Sequence, residues 1–341
     1  MITRTSRRLD SFDTDTRVAI RAVGDGMRLA RSLEGRSRAS TKSDTSPVTV
    51  ADLAIQVVVA ERLASAFPGI PLIAEEDATS FQADPELSRE VVQVVRQVVP
   101  DTTADRVMGW IGDGGPTLSS RFWTLDPIDG TKGFIHGRQY VIALALVVDG
   151  RVALSVVGCP RLSVVPGDEA ANVARLSAPG GIASAGRGHG AWWSTNGEDT
   201  CHPLTVSTCA DLSVARVVQS FEGRHGDPER CARVLGSLGN ERPPLLMDSQ
   251  AKHVTIAAGS GDLLMRFPPH SGFHDAVWDQ AAGSLLIEEA GGRVTDLTGQ
   301  SLDFASGRRL IRNTGLIASN GLLHRAVLEA LRRAPSCETE S

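Results

Sequence analysis

The chain has 341 residues, 40 acidic against 35 basic side chains, a formal net charge of -5 and 41% apolar residues. That length and apolar content call for a packed core, as one large domain or two ordinary ones, and argue against wholesale disorder. The acidic balance and 4% aromatic content exclude a general partner of DNA or RNA, which needs a basic stripe and stacking rings; taken alone, the charge is also the wrong sign for a strongly anionic ligand.

Residues 1–15 read as a frayed start, with no apolar stretch of a secretory signal; Asp10, Asp13 and Asp15 count against a transit peptide. Residues 16–33 have the 3.6-residue apolar period of an amphipathic helix, followed by a polar loop from Gly35. A second helix starts near Ala51 and ends at Pro68-Gly69, a short strand spans 71–74, and a third helix spans 86–99. Residues 112–120 read as an exposed Gly/Ser stretch. From residue 122 the texture changes to strands: 122–125, then 141–148 and 152–157 joined by Asp149-Gly150, a tight-hairpin signal. Further strands are predicted at 190–194 and 204–207, while 178–190 reads as a lid or surface loop. Beyond residue 212 strands (215–220, 263–267, 293–295, 316–318) alternate with helices (228–238, 279–290, 321–332). The pattern predicts an α+β part, residues 1–206, with an antiparallel sheet, and an α/β part, residues 207–335, forming one catalytic unit.

The longest apolar run, residues 141–148, is far short of the roughly 18 residues of a membrane span, so no membrane partner is expected. Five cysteines without a CxxC spacing make zinc and a disulfide framework poor readings, and a cytoplasmic location, with organellar targeting left open, the expected one.

The strongest chemical signal is Trp123-Thr-Leu-Asp126-Pro-Ile128-Asp129-Gly130-Thr131-Lys132-Gly133-Phe134. A strand ends in two carboxylates three residues apart, whose hard oxygens, with an intervening carbonyl, suit Mg2+. Free N–H groups at Gly130-Thr131 can hold a phosphate if a helix or turn begins there; the bland reading is an Asp-rich turn capped by Thr131. Three weaker signals accompany it. Glu75-Glu76-Asp77 follows a strand and could be a solvated acidic turn. Asp279 heads a helix and could be only an N-cap. Asp52 opens the second helix, where an acid is favourable in any case.

PVTVAD, EED, DPIDGT and WDQAAGSLLIEEAGG occur here in that order, and in them the chain resembles the lithium-sensitive, Mg2+-dependent phosphomonoesterases that include inositol monophosphatases and fructose-1,6-bisphosphatases. The resemblance runs from about residue 19 to residue 331. It implies a layered α-β-α-β-α sandwich. TKGF after the DPIDG, Asp248-Ser249-Gln250-Ala251-Lys252, and Leu264-Met265-Arg266-Phe267-Pro268 are more similar to the 3'(2'),5'-bisphosphate nucleotidase branch.

The resemblance implies two or more Mg2+ ions held by Glu75, Asp126, Asp129, Asp279 and the Ile128 carbonyl, with Asp52 and Thr131 orienting the attacking water. It implies Gly130 and Thr131 on the scissile phosphate, and His225, Ser249, Lys252 and Arg266 on the nucleotide and its second phosphate. Without the resemblance, Lys252 and Arg266 read as surface bases and His225 as a cap or packed ring. Ala74 departs from the family's usual Gly before the metal-binding Glu and puts the placement of Glu75 in question, with Glu76 its nearest competitor.

The expected activity is removal of the 3'-phosphate of 3'-phosphoadenosine 5'-phosphate, with 3'-phosphoadenosine 5'-phosphosulfate as a further candidate substrate and the chain acting as a monomer. An inositol- or sugar-phosphate phosphatase shares the metal chemistry and stays open, as does a weakly catalytic nucleotide-binding regulator. A Rossmann dehydrogenase lacks its glycine fingerprint: Gly186-Arg-Gly188-His-Gly190 precedes a strand and reads as a turn.

Overall fold

A computed structural model describes residues 5–35, 39–41, 47–112, 119–164, 179–195, 198–221 and 227–333. Its elements, in chain order, begin with β1 (Arg7–Arg8), α1 (Thr14–Leu33), β2 (Ala39–Thr41), β3 (Pro47–Thr49), α2 (Val50–Ala66), β4 (Leu72–Ala74), α3 (Ala78–Ala83), α4 (Pro85–Val95) and α5 (Ala104–Ile111). Next come β5 (Arg121–Asp129), α6 (Thr131–Ile135), β6 (Val141–Val148), β7 (Arg151–Cys159), β8 (Gly181–Gly186), β9 (Gly190–Thr195) and β10 (Thr200–Pro203). The remainder is β11 (Val218–Gln219), α7 (Pro228–Ser237), β12 (Leu245–Leu246), α8 (Ala251–Ala257), β13 (Leu263–Arg266), α9 (Val277–Glu289), β14 (Arg293–Thr295), β15 (Leu316–Ser319) and α10 (His324–Arg333).

An eight-stranded sheet runs β1-β10-β9-β8-β7-β6-β5-β4. It is antiparallel except for β4 beside β5. Strand alternation sorts its side chains into two cores. Ile142, Leu144 and Leu146 of β6 pack with α1 and α2, while Val141, Ala143, Ala145 and Val147 pack with α8 and α9. The second sheet repeats the device: Leu264, Leu316 and Ala318 face α8 and α9, whereas Leu263, Met265 and Ile317 face α7 and α10. The result is five layers, helix–sheet–helix–sheet–helix, the sandwich the resemblance implies.

Several sequence expectations need correction. Of the stretch 178–190, residue 178 lies outside the described residues and the rest is not a lid: Gly181–Gly186 form β8, which pairs with both β7 and β9. Its small residues hide the strand because they make room for a neighbour; a Cβ at Gly181 would meet Trp193 Cζ2 at 2.3 Å. The strand predicted at 204–207 is absent, and the pairing falls at Thr200–Pro203 instead. In the second sheet β13-β15-β14 is antiparallel, not the parallel arrangement that alternating strands and helices suggest. Helices α3, α5 and α8 are too short to give a readable period. Of the stretch 112–120, residues 113–118 lie outside the described residues. Among the described residues no helix is long and apolar enough to cross a membrane.

Candidate active site

The two aspartates of DPID share a face because the strand carrying them is irregular. In a regular strand residues three apart point to opposite faces. Asp126 pairs with Ala143 and Asp129 with Val141, so three steps on β5 oppose two on β6. That extra residue, a bulge at Pro127-Ile128, turns Asp129 back to the side of Asp126. Both carboxylates then stand at the carboxyl end of β5, beside α9.

Register also decides between the two glutamates. In the parallel β4/β5 pair Ile73 lies beside Thr124 and Ala74 beside Leu125; Glu75 N continues the ladder to Leu125 O at 3.1 Å. Glu75 therefore falls beside Asp126 and on the same face. Glu76 is buried on the opposite side, where its backbone exchanges two hydrogen bonds with the Gln56 side chain of α2, at 2.8 and 3.1 Å. The Ala74 methyl packs in the α2-side core, away from Glu75. Asp77 caps α3, accepting from Thr79 N.

Asp279, in the first turn of α9, completes the group. Burial pushes the Asp126 carboxyl well above its usual range, and the charges of Glu75, Asp129 and Asp279 push it further. Asp279 is pushed up to about 7, first by burial, with Arg266 opposing and Asp275, Asp129 and Glu75 adding to it. Asp129 is raised by burial, against the charge of Lys252 and the hydrogen bond from Gln250. Among the described residues Asp126 Oδ1 finds no hydrogen-bond partner and is buried, a costly state for a carboxylate oxygen.

Asp52 does two jobs. Thr49 caps α2, accepting from Ala51 N at 3.1 Å, and Asp52 Oδ2 answers by accepting from Thr49 N at 2.8 Å, a capping box. Its other oxygen lies 3.4 Å from Thr131 Oγ1, which is also 3.2 Å from Ile128 O, with one hydroxyl proton to share between them. Gly130 turns the chain into α6 at φ 94°, a left-handed conformation that favours glycine. Gly133 is fixed by space: a Cβ there would sit 2.0 Å from Gln139 O.

The bases are not surface groups. Lys252 is 6% exposed; burial lowers its ammonium to about 8, against the charge of Asp129. Arg266 Nε lies 2.8 Å from buried Asp275. Ser249 takes φ 65° and packs against Gly130, where a Cβ would lie 3.2 Å from its own. His225 lies outside the described residues.

Sequence reasoning missed Gln250. Its backbone N–H donates to Asp129 Oδ2 at 2.7 Å. Its side chain donates to Trp278 O at 3.0 Å and accepts from Gly283 N at 2.9 Å, so one residue ties Asp129 to the helix that carries Asp279. The only signal was its place between Ser249 and Lys252.

This layered fold matches that of known proteins. The description "Inositol monophosphatase family" matches residues 9–336. The chain belongs to that family. A Schizosaccharomyces pombe protein named 3'(2'),5'-bisphosphate nucleotidase is 36% identical, over 94% of this chain and 95% of its own. An Oryza sativa protein of the same name is 35% identical, over 95% of each. Among solved structures, the Anabaena inositol monophosphatase superposes with a TM-score of 0.63 at 21% identity, covering 95% of this chain and 97% of its own. The Thermotoga maritima IMPase gives 0.62 at 23%, covering 92% and 95%; at such identities the likeness is one of fold.

Members of the inositol monophosphatase family use metal ions. The residues present fit such ions: among the described residues Asp126 Oδ1 lacks any donor, and the charges of Glu75, Asp129 and Asp279 raise the proton affinity of Asp126. Among the described residues no three His, Cys, Asp or Glu side chains form a ready-made cage. Asp129 and Asp279 are held instead by the N–H groups of Gln250 and Ala276.

Proposed function

We propose that the protein is a Mg2+-dependent 3'(2'),5'-bisphosphate nucleotidase, hydrolysing the 3'-phosphate of 3'-phosphoadenosine 5'-phosphate to AMP and inorganic phosphate. The observation that carries this reading is buried Asp126 under the charges of Glu75, Asp129 and Asp279, its Oδ1 without a donor among the described residues, beside buried Lys252 and partly buried Arg266. The names of the relatives, at 36% and 35% identity, support the substrate class.

Glu75, Asp126, Asp129, Asp279 and the Ile128 carbonyl hold two or more Mg2+ ions. Bound Mg2+ supplies a lowered water pKa and charge neutralisation on the phosphoryl oxygens. Asp52, with Thr131 Oγ1 3.4 Å away, orients the attacking water and takes its proton. The water oxygen bonds to phosphorus as the bond to the 3'-oxygen breaks, and the proton balance is completed on the departing hydroxyl. The N–H groups at Gly130 and Thr131, where α6 begins, contact the transferred phosphoryl group. Ser249 and His225 contact the nucleotide, while Lys252 and Arg266 hold the phosphate that stays. The parts built on the two sheets act as one catalytic unit, in a monomer.

The test is phosphate release across a panel of 3'-phosphoadenosine 5'-phosphate, its 5'-phosphosulfate analogue, inositol 1-phosphate and fructose 1,6-bisphosphate, with Mg2+ and with chelator. The bisphosphonucleotide is expected to give the highest kcat/KM, and only with Mg2+. Preference for an inositol or sugar phosphate would overturn the substrate reading, and full turnover in chelator would overturn the metal reading.

A further inference from the structure

Glu75 and Asp279 come from elements that belong to different layers. Glu75 follows β4 at the edge of the large sheet, and Asp279 stands in the first turn of α9. Their separation depends on whatever fixes the end of β4 against the start of α9.

A strap between β14 and β15 reaches both. Residues 308–310 run antiparallel to the chain entering α9: Ala276 bridges Arg309, Val277 N donates to Arg308 O at 3.0 Å, and Leu310 N donates to Asp275 O at 2.9 Å. The strap is anchored at both ends. Asn313 donates to Ser301 O at 3.0 Å and accepts from Asp303 N at 2.7 Å. Ala305 packs on the β6–β7 turn, where a Cβ at Gly150 would meet it at 2.9 Å.

From this strap the Arg308 side chain crosses the gap. Its Nη2 donates to Ala74 O at 2.8 Å, the carbonyl of the peptide that leads into Glu75. Its guanidinium carbon lies 4.6 Å from the centre of the Trp278 ring, the residue before Asp279. One planar group thus makes a directed hydrogen bond to one ligand arm and a cation–π contact to the other, a pairing that guanidinium supports better than ammonium. The hydrogen bond goes to a carbonyl, which gives Arg308 the role of a mount for Glu75.

We infer that Arg308 is a positioning residue that sets the spacing of Glu75 and Asp279, and through it the affinity of the site for divalent cation. The inference rests on the carboxylates being the metal ligands, as proposed above. A displacement of one ligand arm weakens every coordination geometry that needs both, while leaving the bases that bind nucleotide in place.

The experiment measures Mg2+ binding directly, by calorimetry on the purified full chain, beside KM at saturating Mg2+. Arg308→Met keeps an apolar stem over Trp278 and removes the donor. It is expected to raise the Mg2+ Kd about 10-fold, with KM for the nucleotide within about 2-fold of wild type. Arg308→Lys keeps the charge and a donor group but loses the planar fork, and is expected to fall between the two.

Val327→Ala, in the outermost helix, controls for loss of stability alone and should leave the Mg2+ Kd unchanged. Unchanged or tighter Mg2+ binding by Arg308→Met overturns the inference, tighter binding marking Arg308 as a competing cation. If Arg308→Met does not fold, Arg308→Lys decides: a Kd raised more than about 3-fold supports the inference, and one within that range overturns it. Asp126→Asn separates the two levels, because intact Mg2+ binding in that variant defeats the metal reading itself, whatever Arg308 does.

Discussion

The acidic and basic halves of the site lie side by side yet are balanced in opposite ways. Around β4 and β5, Asp126 feels the charges of three carboxylates, and its Oδ1 has no donor among the described residues. Around α8 and β13, each base faces an acid: Lys252 feels the charge of Asp129, and Arg266 is paired with Asp275. The first half gathers like charge on Asp126, which cations bound there would relieve. The second is close to neutral, and Asp129 and Asp279 help to keep it so. On the proposed reading, cations engaging Asp129 and Asp279 would release Lys252 and Arg266 for an anion. An acidic protein would thereby bind a ligand carrying two phosphates, and its net charge of -5 says little about the local field.

The largest effect that tests this contrast is on turnover. Asp52→Asn keeps the shape of the capping box but removes the base, and should lower kcat at least about 100-fold with KM changed little; a kcat within a few-fold of wild type would remove Asp52 from the chemistry. Next comes the basic half. Lys252→Ala and Arg266→Ala should each weaken binding of the bisphosphonucleotide by about 10-fold or more while affecting a simple phosphomonoester far less. Equal losses on both ligands would show that the bases do not read the second phosphate. The coupling of the halves predicts that AMP binds more tightly in Mg2+ than in chelator, which calorimetry measures; equal affinity would break the link between them.

A smaller effect concerns acid. Burial lowers His253 to about 3 and His324 to about 4. Below about pH 6.5 the unfolded chain takes up protons at both histidines while the folded chain does not, so stability falls as pH falls toward those values. Asp126 and Asp279 are shifted upward and act in reverse, the folded chain taking up their protons first and gaining stability as pH falls; for Asp279 that window runs from about pH 7 down toward 4. In chelator the two trends offset one another. In Mg2+ the carboxylates are already engaged, so the loss of stability between pH 7 and 5 should be steeper. Identical slopes in denaturant titrations with and without Mg2+ would count against a relieved carboxylate cluster.

Much of the acidic half was legible in the sequence because it lies on regular elements with local signatures. Asp126-Pro-Ile-Asp129-Gly130 ends an apolar strand, Asp52 opens a periodic helix, and Asp279 heads another. The bulge that aligns Asp126 with Asp129 was not legible, since it exists only as a register against β6. The choice of Glu75 over Glu76 likewise needed the pairing of β4 with β5. The basic half was harder to read. Helix α8 spans seven residues and has a lysine and a histidine in its buried face, so no apolar period announces it. Gln250 acts through its backbone and across 33 residues to Gly283, and Arg308 works from a strap without repetitive structure.

The most direct test of the central claim, that the carboxylates are held in mutual repulsion for the sake of cations, is the melting temperature of wild type and Asp126→Asn in chelator and in Mg2+. The account predicts that Asp126→Asn melts a few degrees above wild type in chelator, because one charge of the cluster is gone, and that it loses most of the Mg2+-induced rise seen in wild type. An Asp126→Asn protein that melts below wild type in chelator and still gains the full Mg2+ increment would contradict it.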